Sequence, residues 1–437
     1  MGLTSLMEEM GVPSVAVHTH VFHRVAKSTA RLRGIPTLRH AFVPQPVVDR
    51  TPEQLRGYIE GTDAITGRPF MQEVIEGLLK PLAGQDLTGE TFERTTPRLV
   101  APDTEENLRK LFEENRWTDF MPIVLPTEER VAAMLKGTSQ KPDKVVGRMR
   151  AGNFRETWEY TVEKVAVNAV MAGARPEYFP VILALAASNQ TSRQGSTTSQ
   201  TCFSVVNGPI RKEIGINSGI GAMGPYAHAN VAIGRAYSLL SQNGQGGSVP
   251  GETYMGTLGN PLAYSLCFGE NEERSPWGPL HVDKGFKPTD STVSVFVGNR
   301  YIHEGFGPRD TWEEKFRRSL QATAYLPPAL VMDPLVARLF ERRGIKTKED
   351  LINWCVNNAR LPAREYWDDQ WMQTLIRPHA VAGVEPYASK LKAAPDEIVQ
   401  MYDPDEVHVI VTGGETQGAW KIFGANYVTT VSVDAWR

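Results

Sequence analysis

The first fifty residues alternate between the hydrophobic periods of strands and of helices. Residues 13–19 (PSVAVHT) form an apolar, β-branched run that predicts a strand. Residues 20–33 carry apolar side chains at helical spacing after Thr19, a suitable N-cap, and Gly34 favours the end of that helix. Residues 37–43 (TLRHAFV) predict a second strand. Strand, helix and strand in this order predict a parallel crossover unit.

This predicted sheet is incomplete, because two strands cannot bury both faces of a parallel sheet. The missing strands must come from elsewhere. One candidate is Val407–Val411 (VHVIV), and the other is a partner chain.

The remaining chain predicts a second, larger α/β region with mixed elements. Polar, proline-containing sequence from about residue 85 to residue 152 holds charge-rich helical segments at 104–115 and 127–135. It predicts a partly helical connector rather than a low-complexity linker. Beyond it the pattern predicts helices at 158–172 and 229–240, a helix or strand at 178–188, and strands at 292–297 and 428–433. No internal repeat is visible in the sequence.

The fold class that follows is α/β, with three parts. We predict a partial, Rossmann-like parallel-sheet domain at residues 1–84, the connector at 85–152, and an α+β domain with a glycine-rich pocket at 153–437.

The stretch from Gln200 to His281 departs from any amphipathic period and holds many glycines and single polar groups. Glycine loses the most entropy on folding, so this density is costly unless the backbone approaches a ligand or adopts positive φ. The first glycine-rich run of this stretch ends before the predicted helix at 229–240. His228 and Asn230 would lie at the first turn of that helix, where free backbone amides favour the binding of an anion. No GxGxxG and no lysine at Walker spacing occurs, so a structural loop remains the alternative to a phosphate site.

A second glycine-rich loop at 243–259 precedes a group of chemically versatile side chains, Cys267, Glu270, Glu272, Glu273, Trp277 and His281. Acids, an imidazole and a thiol supply candidate bases, acids and a nucleophile. Cys267 and Cys355 lie in apolar surroundings that favour buried, inert thiols. Cys202 lies among polar residues and is the better candidate for a reactive thiol.

Composition narrows the class of protein. A formal charge of −3 and a pI near 6.3 give no electrostatic footprint for nucleic acid or anionic membrane. Three cysteines are too few for a disulfide framework, and the apolar run at 180–187 is too short to span a bilayer. The start shows no signal peptide. We therefore expect a cytoplasmic protein.

Three histidines, His18, His20 and His23, follow the first predicted strand with the pattern HxHxxH. Imidazoles gathered at a strand end can bind zinc, but no cysteine or acid nearby completes a ligand set. We therefore predict no metal, and the sequence indicates no particular cofactor.

Residues 11–47 (GVPSVAVHTHVFHRVAKSTARLRGIPTLRHAFVPQPV) resemble the latter part of the UGSC-type domain, which is named for a Sec/Cys-Gly-Ser-Cys motif. That domain is related to the B component of the glycine, sarcosine and betaine reductases. Longer relatives are similar at 163–187, 224–236, 257–277 and the VTGG of 411–414. The naming motif itself is absent here, and Ala174 stands where such relatives are expected to have a cysteine.

The resemblance implies an oxidoreductase-like enzyme whose redox thiol is not in this chain. We hypothesise that a small partner subunit supplies the early strands and the cysteine motif, within an oligomer. The substrate would be a small polar or anionic molecule. The predicted catalytic residues are Cys202, His228, Glu270 and Glu273, and the predicted substrate-binding residues are Asn207, Asn230, Arg235, Asn243, Trp277 and His281.

Two alternatives stay open. The first is a non-redox hydrolase or lyase that uses Cys202 or a His/Glu pair directly. The second is a non-catalytic scaffold subunit, which the density of polar loops disfavours.

Overall fold

The computed structural model describes residues 2–80, 82, 97–150, 157–192, 200–245, 249–251, 254–260, 264–305 and 311–437. The predicted loop glycines Gly246 and Gly247 lie outside these residues. No helix within the described ranges combines the length and the apolar character needed to cross a membrane.

The described residues alternate between helices and strands. The helices are α1 (Gly2–Glu9), α2 (His23–Leu32), α3 (Pro52–Glu60), α4 (Phe70–Leu79), α5 (Glu105–Glu114), α6 (Glu128–Leu135), α7 (Val162–Met171), α8 (Phe179–Ala187), α9 (Ile210–Glu213), α10 (His228–Gln245), α11 (Leu280–Asp283), α12 (Trp312–Gln321), α13 (Pro334–Arg342), α14 (Lys348–Asn358), α15 (Ala363–Tyr366), α16 (Arg377–Val381) and α17 (Tyr387–Lys392). The strands are β1 (Ala16–Thr19), β2 (His40–Val43), β3 (Val145–Arg150), β4 (Thr157–Thr161), β5 (Thr201–Asn207), β6 (Leu266–Gly269), β7 (Thr292–Gly305), β8 (Pro328–Met332), β9 (Arg360–Pro362), β10 (Ile398–Gln400), β11 (His408–Val411) and β12 (Ala419–Ser432). The α/β prediction is confirmed.

The N-terminal unit is the predicted strand–helix–strand crossover. Strands β1 and β2 pair in parallel, with Ala16 opposite His40, and α2 connects them. Each strand begins three residues later than predicted. The sheet contains these two strands alone among the described residues. The expectation that Val407–Val411 extends it is wrong, because β11 pairs with β8 in another sheet.

The larger sheet has the strand order β11-β8-β12-β7-β5-β6. One succession of strands occurs in it twice. In each half, a first strand (β5 or β8) has a parallel neighbour on one side and an antiparallel neighbour on the other. The two long antiparallel strands, β7 and β12, then pair with each other at the centre. The two halves therefore share one strand order, although no internal repeat is visible in the sequence.

This sheet curls so that its two edge strands approach each other. Phenylalanines from four strands, Phe203, Phe268, Phe296 and Phe423, share one buried cluster with Ile410 of β11 and Val331 of β8. The amide of Asn271, just after β6, donates to the carbonyl of Val411 at the end of β11, over 2.7 Å. The carboxyl ends of β6 and β11 therefore meet.

Two layers of helices cover the face of the curled sheet opposite the phenylalanine cluster. One layer packs α7, α8 and α10 against β5, β6 and β7, and the other packs α12, α13 and α14 against β8, β11 and β12. Helix α8 is buried on nearly every side, which is why its sequence lacks an amphipathic period. Residues 158–161, predicted to be helical, extend as β4, because Thr161 ends the strand and caps α7 by accepting from the Lys164 amide.

The segment predicted to be a connector packs onto the larger unit. Asp119 forms an ion pair with Arg235 of α10 over 2.9 Å, and Phe112 lies in one buried cluster with Leu239. Strands β3 and β4 pair across the boundary expected at residue 152. Helices α5 and α6 were both predicted, and Thr104 and Thr127 cap them.

Candidate functional site

Two predicted site residues meet where the parallel strands β5 and β6 end. Asn207 is the last residue of β5, and Glu270 directly follows β6. The Asn207 side-chain amide donates to Glu270 Oε2 over 2.7 Å, and both side chains are fully buried. Carboxyl ends of parallel strands are where open α/β sheets bind ligands.

Glu270 is a carboxyl group held away from water. The Leu280 amide at the start of α11 donates to its Oε2 over 2.7 Å, and the Lys348 ammonium lies 3.8 Å from its Oε1. Burial raises the pKa of Glu270, while Lys348 and the hydrogen bonds oppose that shift. Lys348 also pairs with Asp283 over 2.7 Å, so that its charge is already compensated. Burial thus shifts Glu270 towards its neutral form relative to a carboxyl group in water.

Several buried polar atoms around Glu270 have no hydrogen-bond partner. They are Asn207 Oδ1, Glu270 Oε1, Thr292 Oγ1 and both ring nitrogens of His281. Asn207 and Thr292 are cross-strand neighbours in β5 and β7, and His281 follows the Leu280 amide that contacts Glu270. We call Asn207, Glu270, His281, Thr292 and Lys348 the buried polar cluster. Unpartnered buried polar groups are costly, and their concentration here makes this region a candidate site.

Arg211 ties the neighbouring acids to this cluster. Its guanidinium, buried in α9, donates to the Glu270 carbonyl over 2.6 Å and lies 2.9 Å from Glu272 and 3.1 Å from Glu273. Partial burial favours a higher pKa for Glu273, but hydrogen bonds from Arg211 and Lys212 overcome it and lower the pKa to about 2. Glu273 is therefore an ionised, paired carboxylate, which is a poor proton donor.

A cleft of about 350 Å³ opens at the carboxyl ends of the other parallel pair, β8 and β11. Asp333 and Thr412, which directly follow those strands, line it together with Lys421 of β12. By its place after β8, Asp333 corresponds to Asn207 after β5. The Thr412 hydroxyl donates to the Gly269 carbonyl over 2.6 Å, so the cleft wall adjoins the strand that leads into Glu270.

The glycine-rich loop forms another wall of this cleft. Gly221 and Gly224 line it, and Gly221 has a φ of 73°. Asn230 holds the loop in place, because its Oδ1 accepts from the Asn217 amide and its Nδ2 donates to the Ala222 carbonyl over 3.0 Å. Asn230, predicted to bind substrate, thus positions the loop that lines the cleft.

Not every glycine of the stretch serves the cleft. Gly208 has a φ of 82°, and a Cβ there would lie 2.1 Å from the Asp290 carbonyl oxygen. In α10, a Cβ on Gly234 would lie 2.0 Å from the Ser265 carbonyl oxygen. Both positions need glycine for close backbone packing, the structural explanation left open by the sequence.

The structure places two predicted catalytic residues away from the buried polar cluster. Cys202 is buried in the apolar core, its Sγ donates to the Thr191 carbonyl, and burial raises its pKa well above the ordinary value. These features oppose a nucleophilic role. His228 is exposed at the start of α10, with Nδ1 3.2 Å from the Tyr178 hydroxyl.

Three predicted substrate-binding residues hold the fold together. Arg235 pairs with Asp119, and the Asn243 amide donates to the Trp117 carbonyl. Trp277 lies in the core beneath α14 and donates to the Lys346 carbonyl over 3.1 Å. Their polar groups instead pair with backbone carbonyls and with the buried carboxylate of Asp119.

Sequence reasoning missed Lys348, Thr292, Asp333 and Lys421. The sequence did carry a signal for Asp333. Met332-Asp333-Pro334 at the end of β8 is similar to Val206-Asn207-Gly208-Pro209 at the end of β5, because each places a polar residue between a strand and a proline-containing turn. Lys348 carried no such signal, since it is a first-turn residue of an ordinary capped helix.

The histidines of the N-terminal unit gather beside its sheet. His18 and His40 have ring centroids 5.4 Å apart, and burial lowers the pKa of each to about 4. Buried nitrogens of His18, His20, His23 and His40 lack hydrogen-bond partners. Across the described residues, no group of three or more histidine, cysteine, aspartate or glutamate side chains is arranged to hold a metal ion.

Sequence comparison bears on the N-terminal unit alone. Residues 5–63 match the model of the UGSC family. No curated protein matches the chain. The likeness expected at 163–187 and further along lies outside the matched residues.

Proposed function

With residues 5–63 as a UGSC-type segment, we propose that this chain is the large subunit of a thiol-dependent, oxidoreductase-like enzyme. A partner subunit completes the N-terminal sheet and supplies the redox cysteine motif. The curled sheet binds the substrate, a small polar or anionic molecule. The observation that carries the proposal is a UGSC-type unit with a two-stranded sheet and no cysteine of its own.

The surface of the N-terminal unit supports a partner there. A parallel pair of strands does not bury enough apolar surface to be stable alone. Of the 31 large hydrophobic side chains exposed in the described part of the chain, 14 lie within residues 2–80. Val17, in the middle of β1, is 53% exposed, and Val21 just after it is 47% exposed. Such a concentration is typical of an interface.

The histidines give that interface a chemical role. His18 and His40 are neutral at physiological pH because burial lowers the pKa of both. A neutral imidazole can accept a hydrogen bond from the S–H group of an incoming thiol. We assign to these histidines the positioning of the partner's thiol.

Within the larger unit, Glu270 is the strongest candidate for proton transfer. It is buried, its pKa is raised, and one of its oxygens has no hydrogen-bond partner. Glu273 and Arg235 are assigned positioning roles instead, because each is held in an ion pair.

Native mass spectrometry of the chain purified from its own cells tests the proposal. We expect a heteromer whose smaller chain carries a Cys-Gly-Ser-Cys or Sec-Gly-Ser-Cys motif. Val17→Asp should disrupt that complex, whereas Val381→Asp, at a valine that is 71% exposed on α16, should leave it intact. A chain that stays alone in native extracts, or that turns over substrate without a partner, overturns the proposal.

A second candidate is a non-redox hydrolase or lyase. The Glu270 and His281 pair, with unpartnered atoms on both side chains, favours its acid–base form over nucleophilic attack by Cys202. Cys202→Ser separates the mechanisms, since loss of turnover with no partner present would support the nucleophile.

A further inference from the structure

We infer that the cleft between β8, β11 and the glycine-rich loop binds a small monocarboxylate with an apolar body and no cationic group. This inference rests on the proposed function, whose substrate class it narrows from polar or anionic molecules in general. It concerns the larger unit alone, so its test does not need the partner.

The interior of the cleft favours hydrocarbon. Met223 of the glycine-rich loop, Val331 of β8 and Trp420 of β12 are among the lining residues. Val331 belongs to the apolar cluster inside the curled sheet, and Met223 packs against that cluster. A volume of about 350 Å³ is at the lower end of small-molecule sites. A compact ligand with an apolar body fits such a space.

One cation in the wall has no anionic partner among the described residues. The Lys421 ammonium contacts the Tyr301 hydroxyl and lies 2.6 Å from His303 Nδ1. Burial and Lys421 itself lower the pKa of His303, so this neighbour is neutral. No carboxylate of the described residues forms an ion pair with Lys421. A ligand carboxylate would supply the missing charge and could also accept from the Tyr301 hydroxyl.

The acids near the cleft are already engaged. Asp333 accepts from the Val336 amide over 2.9 Å and from the Ala419 amide over 2.6 Å. Glu415, three residues beyond Thr412, pairs with Arg338 and lies 3.8 Å from Arg274. A ligand ammonium would therefore find no free carboxylate among the described lining residues, and its desolvation would go uncompensated. This is why the inference excludes amines and zwitterions.

Three probes with the same five-carbon chain, and one zwitterion, test the ligand class. The full chain is titrated with n-pentanoate, n-pentanol, n-pentylamine and the zwitterion glycine betaine, with binding followed by saturation-transfer NMR and thermal shift. We expect pentanoate to bind at least about tenfold more tightly than pentanol, since a charge-assisted hydrogen bond is added. Pentylamine and betaine should not bind detectably.

A substitution links the preference to Lys421. Lys421→Met keeps the length of the side chain and should lower pentanoate affinity to that of pentanol. The control Lys110→Met removes a lysine whose side chain is 73% exposed on α5 and should change nothing. Equal binding of acid and amine, unchanged affinity in Lys421→Met, or no binding of any probe overturns the inference.

The outcomes are separable from those of the proposed function. A heteromer in native extracts with no pentanoate binding defeats the ligand class alone. Pentanoate binding by a chain that remains unpartnered in native extracts defeats the partner proposal alone.

Discussion

At the scale of single residues, the pKa values of two glutamates three positions apart are shifted in opposite directions. Burial raises the pKa of Glu270 above its ordinary 4.5, so the protonated side chain stabilises the fold below that value. This contribution is lost as pH rises through the raised pKa. Glu270→Gln, which stays uncharged, should therefore gain in melting temperature relative to the parent as pH rises above that ordinary value. Parallel melting curves above that value would contradict it.

Glu273 should behave in the opposite way. Its pKa is lowered to about 2, so its ionised form stabilises the fold above 4.5, and that stability is lost as pH falls towards about 2. Because the side chain is 45% exposed, we expect Glu273→Gln to cost roughly 1 kcal/mol or less at neutral pH. Urea titrations at neutral and acid pH measure the difference, which should vanish at the acid end.

Gly208 is fixed by backbone geometry. Gly208→Ala should lower the free energy of unfolding by about 2 kcal/mol or more, since the new Cβ meets the Asp290 carbonyl and φ is 82°. Gly215→Ala is the matched control: its φ is 70°, but no atom lies within 4 Å of the new Cβ. It should cost only the left-handed strain of about 1 kcal/mol. Equal losses in urea unfolding would show that the clash does not matter.

At the scale of elements, one hydroxyl joins the two edges of the curled sheet. Thr412 follows β11 and donates to the carbonyl of Gly269, the last residue of β6. Thr412→Val keeps the shape and leaves that carbonyl unpaired, at a cost of about 1–2 kcal/mol. Hydrogen exchange should quicken at residues 269–271. Thr374→Val, at an exposed threonine, should leave that exchange unchanged.

The repeated strand order accounts for how the two site regions correspond. Asn207 ends the first strand of one half, and Asp333 directly follows the first strand of the other. Glu270 and Thr412 each follow the second strand. One half encloses its polar groups, while the other leaves a cleft. The same strand order thus supports the buried polar cluster in one half and the open cleft in the other. The hydrogen bond from Thr412 to Gly269 joins their walls.

At the scale of the whole molecule, the predicted connector is bound to the larger unit by a buried charge pair. Arg235→Ala would leave the Asp119 carboxylate buried at 1% exposure, so we expect a loss of about 3 kcal/mol in the free energy of unfolding. Arg148→Ala breaks an exposed pair with Glu159 and should cost less than about 1 kcal/mol. Similar losses for both in urea would argue that residues 97–125 are not anchored by this contact.

The sequence by itself determined the features that depend on neighbours in the chain. Hydrophobic period predicted β1, α2 and β2, and the charge-rich segments 104–115 and 127–135 predicted α5 and α6, because these signals lie within a few turns of the chain. The sequence also placed Asn207 and Glu270 in one candidate stretch, residues 200–281. Their contact, however, requires two strands that are separated by the whole glycine-rich region to pair in parallel.

Only the tertiary structure decided which polar side chains are available to bind a ligand or to transfer a proton. Lys348 reaches Glu270 from a distant helix, and Lys421 lacks a described acidic partner because of how β7 and β12 pair. Arg235 was predicted to bind substrate, but its guanidinium forms an ion pair with Asp119. Burial and partners are set by long-range packing, so a local pattern can show that a side chain is polar but cannot show what it contacts.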